Sequence, residues 1–309
     1  MSDGAVSSFK AEEAAAYDGT AERFAALSER YAGDLAVRLV GIARIGAGDR
    51  VLDVGTGAGV VAAAAAGKVG TTGRIVGIDI SEAMLAMARQ GATARGLDER
   101  IQYQLMDAEA LELEDGSRDV VVSLFALLHL PDPLRALQQM RRVLRPGGRL
   151  VAGVGSGAPV SIAGLAHRLR RLGTLWGVKR GRCLVAPEAL ESLLRSRLGP
   201  EEAAAARWHE HARAHRPAQL GALAREAGFI RVQVSWEGRD LAVTTAEEFW
   251  DLQRTFSSVA RLRLAAASPE AVADLRHEMM VRSEAVLARG GKLIYPQGVL
   301  VLRALRPAP

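Results

Sequence analysis

At 309 residues, with 49% hydrophobic and 24% charged residues, the chain has the makeup of a globular protein large enough for one domain with a sizeable cap. One cysteine, Cys183, excludes an intramolecular disulfide and any two-cysteine metal site, and fits a reducing, cytoplasmic setting. The net charge of +5 and pI of about 9.8 come from thinly spread arginines, which read against a nucleic-acid partner, and no run approaches the ~20 apolar residues of a membrane span.

The opening residues are acidic early and lack an apolar core run, so they do not read as a signal peptide. Over 9–45, Tyr17, Phe24, Leu27, Tyr31, Leu35 and Leu39 recur at three-, four- and seven-residue spacings, which predicts a helical stripe that packs on a core or closes over a ligand. From Arg50 strands and helices alternate. Strands are expected at 51–54, 74–80, 101–105, 120–125 and 148–154, with helices at 58–68, 81–95 and 134–143; Ser81 followed by Glu82 reads as a helix start. Residues 159–217 show no good strand and read as helical. A helix at 219–228 leads into a strand at 230–236, a second helical stretch covers 245–290, and 293–305 reads as a strand with a turn at 296–298.

This rhythm predicts an α/β fold with a doubly wound, mostly parallel seven-stranded sheet of Rossmann-like type and helical cap insertions. The expected organisation is a helical N-terminal cap over 1–48 and a nucleotide-binding core over 49–155. A helical insertion follows at 156–217, and the rest of the sheet lies in 218–309, interrupted at 245–290.

The chemistry concentrates where the first strand meets its helix, in Asp53-Val54-Gly55-Thr56-Gly57-Ala58-Gly59. Glycines there let the backbone turn tightly and approach a ligand, and the helix start offers free N–H groups. The spacing is GxGxG, with Val60 where a dinucleotide fingerprint carries its third glycine. Asp53, two residues before the first glycine, suits a cationic ligand and would sit badly beside a pyrophosphate. Asp79, at the end of the second strand with Ile80 behind it, is placed to accept ribose hydroxyls.

Together these residues resemble motif I and the acidic loop of class I S-adenosylmethionine (SAM)-dependent methyltransferases. Met106-Asp107-Ala108-Glu109 resembles the family's adenine loop, and 119–133 (DVVVSLFALLHLPDP) its fourth strand and exit loop. Residues 144–150 (LRPGGRL) resemble its turn into the fifth strand. The likeness covers about 50–154 and is nearest the ubiquinone/menaquinone-biosynthesis-type, small-molecule branch; LAREAGF (223–229) and 290–302 fit it more loosely. It implies SAM as cofactor, held by Asp53, Gly55, Thr56, Gly57, Gly59, Asp79, Ile80, Asp107, Ala108, Leu124 and Phe125. It also implies a small-molecule acceptor methylated on oxygen, with nitrogen or carbon as alternatives, in specialised-metabolite or quinone-type biosynthesis.

His129, in the exit loop of the fourth strand, is the candidate general base, since an imidazole exchanges protons at neutral pH; a structural histidine is the alternative. The basic run 167–182 reads as a cap helix with Leu165, Leu169, Leu172 and Leu175 turned inward. An RNA methyltransferase using that run is the rival reading, and a fold that binds SAM without transfer is a third. No metal is expected: His209 and His211 face different ways, and His211 with His215 lacks a further ligand in sequence. Phe249, Trp250 and Phe256 are either pocket walls or the core of the second insertion. The insertions could equally cap a pocket or join two copies in a homodimer.

Overall fold

The computed structural model describes residues 3–156, 169, 172–174, 176–199 and 216–308, with side chains from residue 9 onward. Leu165, Leu175, His209, His211 and His215 lie outside the described residues. The described residues form two compact units, one within Met1–Gly155, His211–Ser235 and Val299–Pro309, the other within Ser156–Glu210 and Trp236–Gly298.

The first unit opens with helices α1 (Asp3–Asp18) and α2 (Ala21–Ile42). One helix was expected over 9–45. It is broken at Gly19-Thr20, where glycine lowers helix propensity and the Thr20 hydroxyl donates back to the carbonyls of Ala16 and Tyr17 instead of capping α2. The alternation then runs β1 (Arg50–Val54), α3 (Val60–Val69), β2 (Arg74–Asp79), α4 (Glu82–Ala94), β3 (Ile101–Leu105) and β4 (Arg118–Leu124). A 3₁₀ turn (Ala126–Leu128), α5 (Pro133–Val143) and β5 (Leu144–Gly155) complete it. The Ser81 side chain accepts from the Met84 N–H at 3.1 Å, so the helix start read from sequence is a true cap.

These five strands are parallel, in the order β3-β2-β1-β4-β5, and residues 299–305 of β8 (Lys292–Leu305) pair antiparallel with β5. Val51, Leu52, Val54, Val120, Val121 and Val122 are wholly buried, as central parallel strands covered on both faces must be. Leu35, Leu39 and Val40 of α2 and Val61, Ala62, Ala65 and Ala66 of α3 pack on one face. The run of alanines lets α3 lie close to the sheet. α5 packs on α7 (Pro217–Glu226), which leads into β7 (Ile230–Val243). The strand order reverses between β1 and β4, so a crevice opens at their carboxyl ends, where ligands bind in such sheets.

The second unit packs α6 (Glu188–Leu198), α8 (Ala246–Phe256), α9 (Ser258–Ala266) and α10 (Pro269–Ala288) around Leu190, Leu193, Leu194, Phe249, Trp250 and Met279. Phe249 and Trp250 are thus core residues.

Three further expectations are corrected. The stretch expected to lack a strand contains β6 (Cys183–Val185), paired in parallel with residues 292–294, which brings the sheet to eight strands. Three residues are too few to show alternation, and their partner lies more than a hundred residues away. β8 also runs through Pro296–Gly298 without a turn: its two halves find different partners, and the proline falls between them. Finally, Leu169 and Leu172 are each 58% exposed instead of turned inward, as is Trp176, whose ring carries the Arg180 guanidinium at 3.4 Å.

Candidate functional site

The turn after β1 is built by hydrogen bonds that leave little freedom. Gly55, Gly57 and Gly59 all have positive φ, at 66°, 53° and 82°. A side chain at Gly55 would collide with the Ala126 methyl group, so glycine here lets the turn meet the exit of β4. At Gly57 the nearest atom to an added Cβ is Phe24 Cε1 at 3.5 Å, an ordinary contact. Thr56 N–H donates to the Ile78 carbonyl at 2.9 Å, tying the turn to β2.

Asp53 lies beneath this turn and is 1% exposed. Its Oδ2 accepts from Thr56 Oγ1 at 2.7 Å and from the Ala62 N–H at 3.1 Å, joining strand, turn and helix start. Its Oδ1 is buried without a hydrogen-bond partner. Burial pushes the carboxyl up to about 7, against the pull of those two donors.

Asp79 ends β2 beside the turn. Its Oδ2 accepts from the Gly57 N–H at 2.9 Å and its Oδ1 from the Ser81 N–H at 3.1 Å. Burial raises its pKa, opposed by these backbone donors. A carboxylate oxygen has room for a second donor, so both atoms keep acceptor capacity. Ile80, half-buried, links Asp79 to the cap of α4.

Asp107 and buried Ala108 follow β3. Asp107 Oδ1 accepts from the Glu109 N–H at 2.8 Å, while its Oδ2 meets Lys10 Nζ at 2.7 Å. Lys10 also reaches Glu109 Oε2 at 2.5 Å, and these two carboxylates raise its pKa although burial alone would lower it. On the far side of the crevice, Leu124 is half-buried at the end of β4. Phe125 has a φ of 67°, an unusual conformation for an aromatic residue, and donates its N–H to the Gly153 carbonyl at 2.7 Å. That left-handed residue turns the chain into the 3₁₀ segment, whose end carries His129.

His129 Nδ1 lies 3.2 Å from Glu13 Oε2, and the Tyr17 hydroxyl lies 3.2 Å from Nε2 and 3.4 Å from Nδ1. The Tyr17 and His129 rings meet edge-on. Asp18 Oδ1 accepts from Ser81 Oγ at 2.5 Å and from the Ala83 N–H at 3.3 Å. Helix α1 therefore contacts the ends of β2, β3 and β4 through Lys10, Glu13, Tyr17 and Asp18. Sequence reading passed over Lys10, Glu13 and Asp18 and took Tyr17 only as part of an aromatic stripe. Their spacings of three and four residues, which put Lys10, Glu13 and Tyr17 along one helix face, were the available signal.

Among the described residues, no group of three or more His, Cys, Asp or Glu side chains is placed to hold a metal, and no helix is long and apolar enough to cross a membrane.

Residues 52–152 match the family model described as a methyltransferase domain. Aklanonic acid methyltransferase DauC of Streptomyces sp. (strain C5) is 37% identical over 144 residues, 47% of this chain and 65% of that protein. The ubiquinone/menaquinone biosynthesis C-methyltransferase UbiE of Idiomarina loihiensis is 38% identical over 104 residues, 34% of this chain and 41% of that protein. The chain thus spans less than two thirds of either relative. The fold agrees with the crystal structure of a Bacillus halodurans protein at a TM-score of 0.53 and 20% identity, over 88% of this chain and 99% of the other. The segment that forms β1 through β5, with its glycine turn and acidic strand ends, is thus the part of the chain that matches a methyltransferase domain.

Proposed function

We propose that this protein transfers a methyl group from SAM to an oxygen atom of a small molecule. The observation that carries the reading is the Asp79 carboxylate, bridged between the Gly57 and Ser81 N–H groups at the β1/β4 crevice, with His129 across from it on the exit of β4.

The residues present fit the cofactor. Gly55, Gly57 and Gly59, all at positive φ, form a turn without side chains at the start of α3, whose backbone a ligand can approach. The unpartnered Oδ1 of Asp53 leaves a buried acceptor under the turn, suited to a cationic or hydrogen-bond-donating ligand group above it. SAM, when bound, supplies an electrophilic methyl group on a sulfonium. The chain's own work is alignment, exclusion of water and proton management. Asp79 holds the ribose hydroxyls. Thr56, Gly57, Gly59 and Ile80 shape the walls around it through backbone contact. Asp107 accepts from the adenine amine, sharing its Oδ2 with Lys10 or displacing it, while Ala108, Leu124 and Phe125 supply apolar contact. His129 takes the proton of an acceptor hydroxyl as the new carbon–oxygen bond forms.

The acceptor class is supported by the two relatives, whose names place them on aklanonic acid and in ubiquinone/menaquinone biosynthesis. Two experiments test the reading. Isothermal titration with SAM and S-adenosylhomocysteine should give binding to both, and failure to bind either removes the cofactor assignment. Incubation with methyl-labelled SAM and a set of phenolic polyketides and quinols, resolved by mass spectrometry, should place the label on oxygen. Label on carbon would shift the reaction to C-methylation, where a general base is less needed. Transfer to RNA alone would overturn the small-molecule reading.

A further inference from the structure

We propose that Glu13 is the positioning residue for His129: its carboxylate holds the proton on Nδ1 and so directs the lone pair of Nε2 toward the acceptor. This rests on the reading of His129 as base. The observation behind it is a buried acid. Glu13 is 3% exposed, on a helix whose neighbouring glutamate, Glu12, is exposed. Removing a carboxylate from water is costly unless it is paired, and packing alone would be served better by alanine or leucine. Glu13 Oε2 faces His129 Nδ1 at 3.2 Å. Anchoring of α1 does not require it, because Lys10 and Asp18 already fasten the helix on either side.

The two ring nitrogens of a neutral imidazole cannot both accept, so a partner that accepts at Nδ1 fixes which nitrogen is basic. With Nδ1–H donated to Glu13, Nε2 receives the hydroxyl proton. The acceptor oxygen keeps its electron pair and forms the bond to the methyl carbon as the carbon–sulfur bond breaks. The ring becomes an imidazolium, stabilised by the Glu13 carboxylate without proton transfer to it. The Tyr17 hydroxyl, 3.2 Å from Nε2, holds the position that the acceptor hydroxyl takes over when it binds.

The test is ¹⁵N NMR of the full chain labelled in histidine and saturated with S-adenosylhomocysteine, with His129→Gln identifying the His129 signals among the six histidines. The wild type should show His129 mainly as the Nδ1–H tautomer. Glu13→Ala should reverse the ratio by about tenfold, and Glu13→Gln, which keeps an oxygen acceptor, should restore part of it. Affinity for S-adenosylhomocysteine should change by less than about threefold in both variants. An unchanged tautomer ratio in Glu13→Ala, or a ratio that follows Tyr17→Phe and not Glu13→Ala, overturns the proposal. A Glu13→Ala that loses ligand affinity without moving the tautomer makes Glu13 a structural anchor, which also overturns it. His129→Gln assayed for methyl transfer tests the base reading separately: wild-type turnover there would refute the base and leave the tautomer result standing.

Discussion

At the scale of single residues, the three glycines of one motif are not equivalent. Gly55→Ala must hold a positive φ and push against Ala126, so it should destabilise the fold by roughly 2–4 kcal/mol in urea denaturation. Gly57→Ala pays only the backbone strain, about 1 kcal/mol, and should fold yet bind SAM more weakly. In the proposed ribose-binding role, Asp79→Asn would lose charge-assisted bonds, each about 1.5–3 kcal/mol. Titration should show an affinity loss on the order of 10²-fold. Asp53 makes the pH prediction. Its folded pKa, about 7, stands above the 3.8 of a solvent-exposed aspartate, so the folded state favours the protonated form. The stability this contributes is complete below about 3.8 and is lost as pH rises through about 7, a few kcal/mol at most. The melting temperature of the ligand-free wild type should therefore fall relative to Asp53→Asn between pH 5 and pH 8, and parallel profiles would refute the raised pKa.

At the scale of elements, α1 is the piece whose role emerges only from its contacts. Its polar face meets β2, β3 and β4 at their carboxyl ends through Asp18, Lys10 and the Glu13–Tyr17 pair. Lys10→Ala leaves Glu109, 3% exposed, with the Asp132 N–H as its remaining donor. That change should cost about 1–2 kcal/mol in denaturant titration, and α1 should become more open to limited proteolysis. Protection by SAM in the wild type but not in the variant would place Lys10 in closing the helix over the adenine end. Equal protection in both would assign that closure to Asp18 and Glu13.

At the scale of the whole molecule, cofactor and fold are linked by mass action. A ligand that binds only the folded state stabilises it by about 2.7 kcal/mol at a hundred times its Kd. SAM should raise the first melting transition of the chain, and Asp79→Asn should need about a hundredfold more SAM for the same rise. A SAM-independent melting temperature at saturation would contradict the site. The match to a methyltransferase domain covers 52–152, so the second unit lies wholly outside the matched segment. Its core residues Phe249 and Trp250 are spent on its own packing.

The sequence alone determined the parts whose meaning is local. A glycine turn between an apolar strand and an alanine-rich helix has one sensible backbone. Ser81 could be read as a cap because capping spans three residues, and Asp79 and Asp107 could be located because one ends its strand and the other comes two residues after its own. Tertiary structure decided whatever depends on distant pairing. β6 has three residues and exists because residues 292–294 lie beside it. Asp53 reads in sequence as a carboxylate suited to a cationic ligand; that it lies under the turn with its Oδ2 bound to Thr56 and Ala62 follows from the strand's inward face, which the sheet fixes. His129 could be named from its loop, but its partners could not. Glu13 and Tyr17 stand 116 and 112 residues away along the chain, and only folding α1 onto the crevice brings them within 3.2 Å of it.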